Sequence, residues 1–236
     1  YLRQFGAAKA ILTTSNLPVE ELITDLKATN LVSDLVAEVS SATVYQHLSL
    51  QKKALKVAVI DGGAKQNILR ILEEFGCSYS VFPYDVSAHE ILLQNFDGVL
   101  LSNGPGDPRT LTNLAKTVKQ LVGKLPIFGI CLGAQILALA IGAKTYKLKF
   151  GHRAQNHPCL HEGTNRCYLT SQNHGFAVKL EDVEKSDAVE LTHVNLNDKT
   201  VAGIKVKGKK TFSVQHHPEA SPGPHDSRYL FDQFIS

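Results

Sequence analysis

The sequence has no Met and no Trp, and only 4 Cys among 236 residues. So few Cys exclude a disulfide scaffold, which needs closely spaced pairs to replace a core. An excess of charge is missing too, since 25 Lys plus Arg against 22 Asp plus Glu leave only +3. Without a dense basic stripe, that surplus gives nucleic acid no electrostatic footprint to bind. No secretory signal opens the chain, because Arg3, Lys9 and polar residues interrupt the first fifteen positions; a cytoplasmic protein is expected. Long apolar runs are absent apart from PIFGICLGAQILALAIGA, Pro126 to Ala143, which Gln135 and three Gly interrupt. It is short for a membrane span, and a buried strand running into a buried helix accounts for it. No membrane partner is expected. The absent initiator Met points to a chain that is not a complete natural gene product.

What is present suits a folded domain: 43% hydrophobic residues and enough length to bury a real core. From Lys56 the pattern alternates. KVAVID (Lys56–Asp61), SYSVFPY (Ser78–Tyr84), DGVLLS (Asp97–Ser102) and PIFGI (Pro126–Ile130) read as short buried strands. Between them, Asn67–Phe75, Ser87–Gln94 with Ser87 as cap, Leu111–Val122 and the segment from Leu132 read as helices. This alternation predicts an α/β fold, a mostly parallel central sheet with helices on both faces. After Gly142 the pattern changes to short strands and turns (KTYKLKF, CYLTSQ, AGIKVKG, TFSVQ), read as added antiparallel strands, with a closing helix over Asp226–Ser236. The first fifty residues stand apart. A helix is expected after Pro18, with Glu20 and Glu21 in its first turn, and the polar stretch Gln46–Lys53 reads as a linker. Residues 1–50 are too few to bury a core alone and read as the remnant of a preceding domain, with 56–236 as the second.

The sharpest local feature is Gly129-Ile-Cys131-Leu-Gly133, where a strand turns into a helix. A G-x-C-x-G elbow exposes a nucleophile at the carboxyl edge of a sheet and aims a helix N-terminus at the sulfur, which favours thiolate. The N–H of Leu132 is placed to donate to an oxyanion. On these five residues alone, a small buried Cys on a glycine-rich turn is an equal reading. Ser213-Val-Gln-His-His-Pro-Glu219 taken alone reads rather as a surface His-Glu pair, but beside the elbow it supplies a base and its orienter. His217 and Glu219, two apart at a strand end, can share one face, while His216 faces the other way. Asn103-Gly-Pro-Gly-Asp-Pro108 ends another strand, and its glycines offer unobstructed N–H groups. Ten His invite a metal, but His152, His157 and His161 match no ligand spacing, and Cys159 and Cys167 form no CxxC; no metal site is expected.

Taken in order, SNGPGDP, GICLGAQ and QHHPEA resemble a class I, triad-type glutamine amidotransferase. DGGAKQNILR, KFGHRAQNHP, TSQNHGFAV and HHPEASPGPHD narrow the resemblance to the small, glutaminase subunits of carbamoyl-phosphate synthetase, over Lys56 to Ser236. The resemblance implies hydrolysis of L-glutamine through a thioester on Cys131, with His217 shuttling protons and Glu219 orienting it. It implies an oxyanion hole from Gly104 and Leu132, and glutamine held by Gly104, Gly106, Leu132, Gln135, Asn173, Gly175 and Phe176. It implies a partner, the large synthetase subunit, which takes the ammonia and holds ATP and Mg²⁺, with no cofactor in this chain; the carbamoyl phosphate would serve arginine or pyrimidine synthesis. The sequence departs from the family pattern at Gly62, Ala134, Ala154-Gln155 and His216. Ala134 and Ala154-Gln155 motivate the competing reading, a catalytically weakened subunit that acts mainly through its partner; a free-standing cysteine hydrolase is a third.

Overall fold

The computed structural model describes residues 2–6, 8–29 and 34–236. The hydrophobic strands assemble into a sheet of ten, in the order β1-β3-β2-β4-β5-β10-β9-β8-β6-β7. Its parallel centre comprises β2 (Lys56–Asp61), β3 (Ser78–Pro83), β4 (Gly98–Leu101), β5 (Ile127–Ile130) and β10 (Thr211–Val214). Successive side chains of a strand point to opposite faces, and this divides the core. Ala58, Ile60, Val99, Leu101 and Ile127 pack on one side, beneath α5 (Ala88–Leu92), α6 (Thr112–Leu121) and α7 (Leu132–Ala140). Val57, Val59, Leu100 and Phe128 pack on the other, beneath α4 (Gln66–Glu74) and α9 (Tyr229–Ile235). The predicted α/β sheet covered on both faces is the observed one. At α5, Ser87 and Glu90 form a reciprocal capping box, as the Ser87 assignment anticipated.

Three segments differ from expectation. The stretch read as a linker contains β1 (Tyr45–His47), which pairs antiparallel with β3 at the sheet edge. Three residues are too few to show a hydrophobic period, so only the available edge identifies them as strand. Beyond Gly142, KTYKLKF and CYLTSQ belong to one long antiparallel hairpin, β6 (Thr145–His161) with β7 (Arg166–Val178), while AGIKVKG and TFSVQ form short strands as read, although TFSVQ, as β10, pairs parallel with β5. Ala154-Gln155 therefore lie within a strand, where register shifts after Lys147 and after Ala154 absorb the irregular sequence. Short α8 (Leu180–Glu184) and strand β8 (Val189–Asn195) complete this side with β9 (Val201–Val206). Finally, α9 begins at Tyr229 rather than Asp226, because Pro222, Gly223 and Pro224 hold the preceding residues in turns.

Before the sheet lie α1 (Leu2–Phe5), α2 (Val19–Ala28) and α3 (Leu35–Val39). The predicted helix after Pro18 is α2, which buries none of its residues, whereas Val36 of α3 joins the core. Among the described residues, no helix is long and apolar enough to cross a membrane. Pro126–Ala143 divides into β5 and α7, both buried.

Candidate active site

The carboxyl ends of β2, β4, β5 and β10 lie side by side, the usual place for a ligand in such a sheet. At the end of β5, Cys131 sits at φ 54°, ψ −100°, a left-handed conformation that a side chain adopts only under constraint. The constraint is packing. A Cβ on Gly133 would land on the Leu101 carbonyl of β4, so only glycine lets α7 start this close to the sheet. Leu132 opens α7, and a first-turn N–H has no partner within its own helix. Cys131 retains 3% of its surface exposure.

Parallel pairing of β10 with β5 sets Ser213 beside Gly129 and Val214 beside Ile130, which delivers the following loop to the sulfur. His217 shares the cleft floor with Cys131, whose sulfur acts on it electrostatically, and its Nδ1 donates to Glu219 Oε1 at 2.6 Å. The sequence reasoning for this pair needs one correction. β10 stops at Val214, so His217 and Glu219 do not share a strand face. A turn closed by Ala220 N–H donating to the His217 carbonyl brings them together, and His217 N–H is anchored on the Ser171 carbonyl. His216 does face the other way, fully buried, with neither ring nitrogen bonded.

Electrostatics favour an ion pair. Burial lowers the affinity of His217 for a proton, but the Cys131 sulfur and then Glu219 outweigh it and push its pKa up to about 10. Burial pushes the Glu219 carboxyl up, yet the His217 and Lys65 interactions hold it below the ordinary carboxylate value. Lys65 Nζ lies 2.9 Å from Glu219 Oε1, and Asn67 Nδ2 donates to the Glu219 carbonyl. Lys65 and Asn67 were not among the residues chosen from the sequence. The available signal was the polar run after β2, whose Asp61 accepts from the N–H groups of Gly63 and Ala64 and so shapes the turn that presents Lys65.

In front of the sulfur lies an open cleft of about 730 Å³. Of the residues chosen from sequence, Cys131, His217, Gly104, Gly106, Gln135, Asn173, Gly175 and Phe176 line it. Glu219 stands behind His217, and Leu132 meets the cleft only through its backbone position beside Cys131. A Cβ on Gly104 would strike the Gly62 carbonyl, so this loop too approaches as close as glycine allows. Gln135 Nε2 donates to the Phe176 carbonyl at 2.8 Å and to Gln215 Oε1 at 3.1 Å, leaving Oε1 for a ligand. The Phe176 carbonyl also meets His174 Nδ1 at 2.7 Å. Burial holds His174 neutral, with a pKa lowered to about 3.

Of the three histidines considered for metal, His152 and His161 are engaged otherwise, while His157 Nε2 is buried without a partner. His152 Nε2 bonds to Asp198 at 2.7 Å and its Nδ1 to Gln172 at 2.9 Å. His161 stacks on His193, with ring centroids 4.5 Å apart. Among the described residues no group of side chains is arranged to hold a metal ion.

The model of the family "Glutamine amidotransferase class-I" matches residues 58–236. The chain is 47% identical over 235 residues to the carbamoyl phosphate synthase small chain of Clostridium acetobutylicum, covering all of this chain and 66% of that one. It is 46% identical to the small chain of Staphylococcus epidermidis, covering 63% of it. The chain thus spans 63–66% of the length of these curated relatives. Among solved structures, a putative GMP synthase component from Thermoplasma acidophilum superposes with a TM-score of 0.66 at 25% identity, over 78% of this chain and 94% of that one. A glutamine amidotransferase of Thermotoga maritima shares the fold, with a TM-score of 0.57 at 19% identity over 71% of this chain and 77% of that one. The chain belongs to the class I glutamine amidotransferase family.

Proposed function

We propose, with that family as premise, that this chain is the glutamine-hydrolysing subunit of a carbamoyl-phosphate synthetase. The observation that carries the reading is Cys131 beside a His217–Glu219 hydrogen-bonded pair at the floor of a cleft on the carboxyl edge of the sheet. The names of the relatives supply the particular synthetase.

Cys131 Sγ attacks the side-chain amide carbon of glutamine, and the carbonyl oxygen becomes an oxyanion held by the N–H groups of Leu132 and Gly104. His217, protonated in the ion pair, gives its proton to the departing nitrogen; ammonia leaves and a thioester remains. His217 then takes a proton from water, whose oxygen adds to the thioester carbon. The sulfur leaves and glutamate is released. Glu219 keeps Nδ1 of His217 protonated, so that Nε2 is the nitrogen that faces the chemistry. Gln135, Asn173, Gly106, Gly175 and Phe176 grip the glutamine.

The ammonia passes to a large synthetase subunit, which contributes ATP and Mg²⁺, and the complex works in the cytoplasm. The decisive assay is glutamate release from glutamine with and without the large subunit, beside Cys131→Ser. Stimulation by the partner and loss in Cys131→Ser are expected. Release that the partner leaves unchanged favours a solitary hydrolase, and no release in either condition favours the weakened subunit that Ala134 and Ala154-Gln155 suggest.

A further inference from the structure

The cleft contains no carboxylate among its lining residues, and its cations besides the catalytic His217 are Lys65 and Arg153. They are not equivalent. Lys65 is committed to Glu219 and to the Ala220 carbonyl behind the catalytic line. Arg153 has no acidic partner among the described residues; its one bond runs from Nη1 to the Phe150 carbonyl of its own strand. Arg109, also near this wall, is neutralised by Asp107 at 2.6 Å.

Position in the hairpin aims Arg153 at the ligand. Arg153 is the direct cross-strand partner of Asn173, so the two side chains project from the same face of the β6–β7 ladder. The neighbouring pair, His152 and His174, is buried, with His174 bordering the cleft from its inner side. The guanidinium reaches along the cleft wall, and its Nη2 lies 3.8 Å from where a Cβ on Gly175 would sit. That is ordinary contact distance, so the guanidinium and the Gly175 backbone border the same stretch of the cleft.

A free amino acid brings two charges to this cleft. Its α-carboxylate needs a cation with unspent donors, and a planar guanidinium meets a carboxylate through paired N–H groups. Building on the glutaminase reading above, we propose that Arg153 binds the α-carboxylate of glutamine and makes the site selective for the free amino acid over amides that lack that group. Arg153 is a specificity residue: it touches substrate away from the reacting carbon, and Phe150 fixes its direction.

The test compares glutamine with 4-aminobutanamide, the same amide without the α-carboxylate, on the full chain, Arg153→Ala and Arg153→Lys. Deamidation kinetics are joined by labelling of Cys131 with a glutamine-like chloroketone and with iodoacetamide. For Arg153→Ala, KM for glutamine is expected to rise about 10- to 100-fold, as for loss of a charge-assisted bond, with a smaller change in kcat. The preference for glutamine over 4-aminobutanamide collapses by a similar factor, as does the preference for chloroketone over iodoacetamide, and Arg153→Lys recovers part of both. An unchanged glutamine KM, or equal losses for both amides, overturns the assignment and leaves the glutaminase reading intact. A wild-type chain that neither hydrolyses glutamine nor reacts with the chloroketone overturns both.

Discussion

Glu219 lies wholly out of solvent, yet its Oε1 is shared between two cations, His217 Nδ1 at 2.6 Å and Lys65 Nζ at 2.9 Å. A buried carboxylate is tolerated only when paired, and here both partners also bear on the chemistry. Three consequences can be measured, besides the Arg153 comparison and two packing substitutions.

Replacing Glu219 by Gln keeps the shape but removes the charge that fixes the imidazole. The kcat for glutamate release is expected to drop about 10²- to 10⁴-fold, the range that a misplaced general acid–base costs. Turnover within a few-fold of wild type would remove Glu219 from the mechanism.

His217 has a folded pKa of about 10, above the ordinary histidine value of 6.5. Its contribution to stability is therefore complete below about pH 6.5 and is lost as pH rises through about 10. Carbon-13 labelled histidine should show His217 still protonated at pH 8. In Cys131→Ser, which removes the largest attraction, the titration should move down. A His217 that is neutral at pH 8 in the wild type would contradict the ion pair.

Lys65 stabilises the charged form of Glu219, whose pKa lies below its ordinary value. Removing that charge as Lys65→Met raises the Glu219 pKa. The carboxylate's contribution, present above the ordinary value and lost as pH falls through the folded one, then disappears at higher pH. The acid limb of the rate profile should shift to higher pH accordingly. A limb that stays in place would show that Lys65 serves only as a tether to the Ala220 carbonyl.

Two substitutions probe packing rather than charge. Gly133→Ala drives a methyl into the Leu101 carbonyl, backbone against backbone, and should destabilise the chain by about 1–3 kcal/mol in urea unfolding while impairing turnover. His216→Leu works in the opposite direction. His216 buries two unbonded nitrogens, each a desolvation cost, so an apolar replacement should be neutral to about 2 kcal/mol stabilising. A large loss of stability in His216→Leu would show that those nitrogens have partners in solution.

The legible part of the sequence was its local part. KVAVID, DGVLLS and PIFGI are continuous apolar runs because both faces of a central parallel strand are buried, and a run of that kind declares itself. Ser87 and Glu90 announced a helix start for a similarly local reason. GICLG was readable as an elbow because strand, glycines and helix are neighbours in the chain. The composition alone also excluded a disulfide scaffold.

What the sequence could not carry is which distant segments meet. Nothing near Ser213 states that β10 enters the sheet parallel to β5, yet that register brings His217 to Cys131. The His217–Glu219 contact was anticipated from strand alternation, and a turn after the strand made it instead. Lys65 reaches Glu219 from the opposite end of the domain, and Arg153 reaches the cleft only because a long hairpin sets it across from Asn173. Local preferences come from backbone sterics and burial within a few residues, so they are written in the chain. Long-range pairing is chosen by the packing of whole elements, and only the folded sheet decides it.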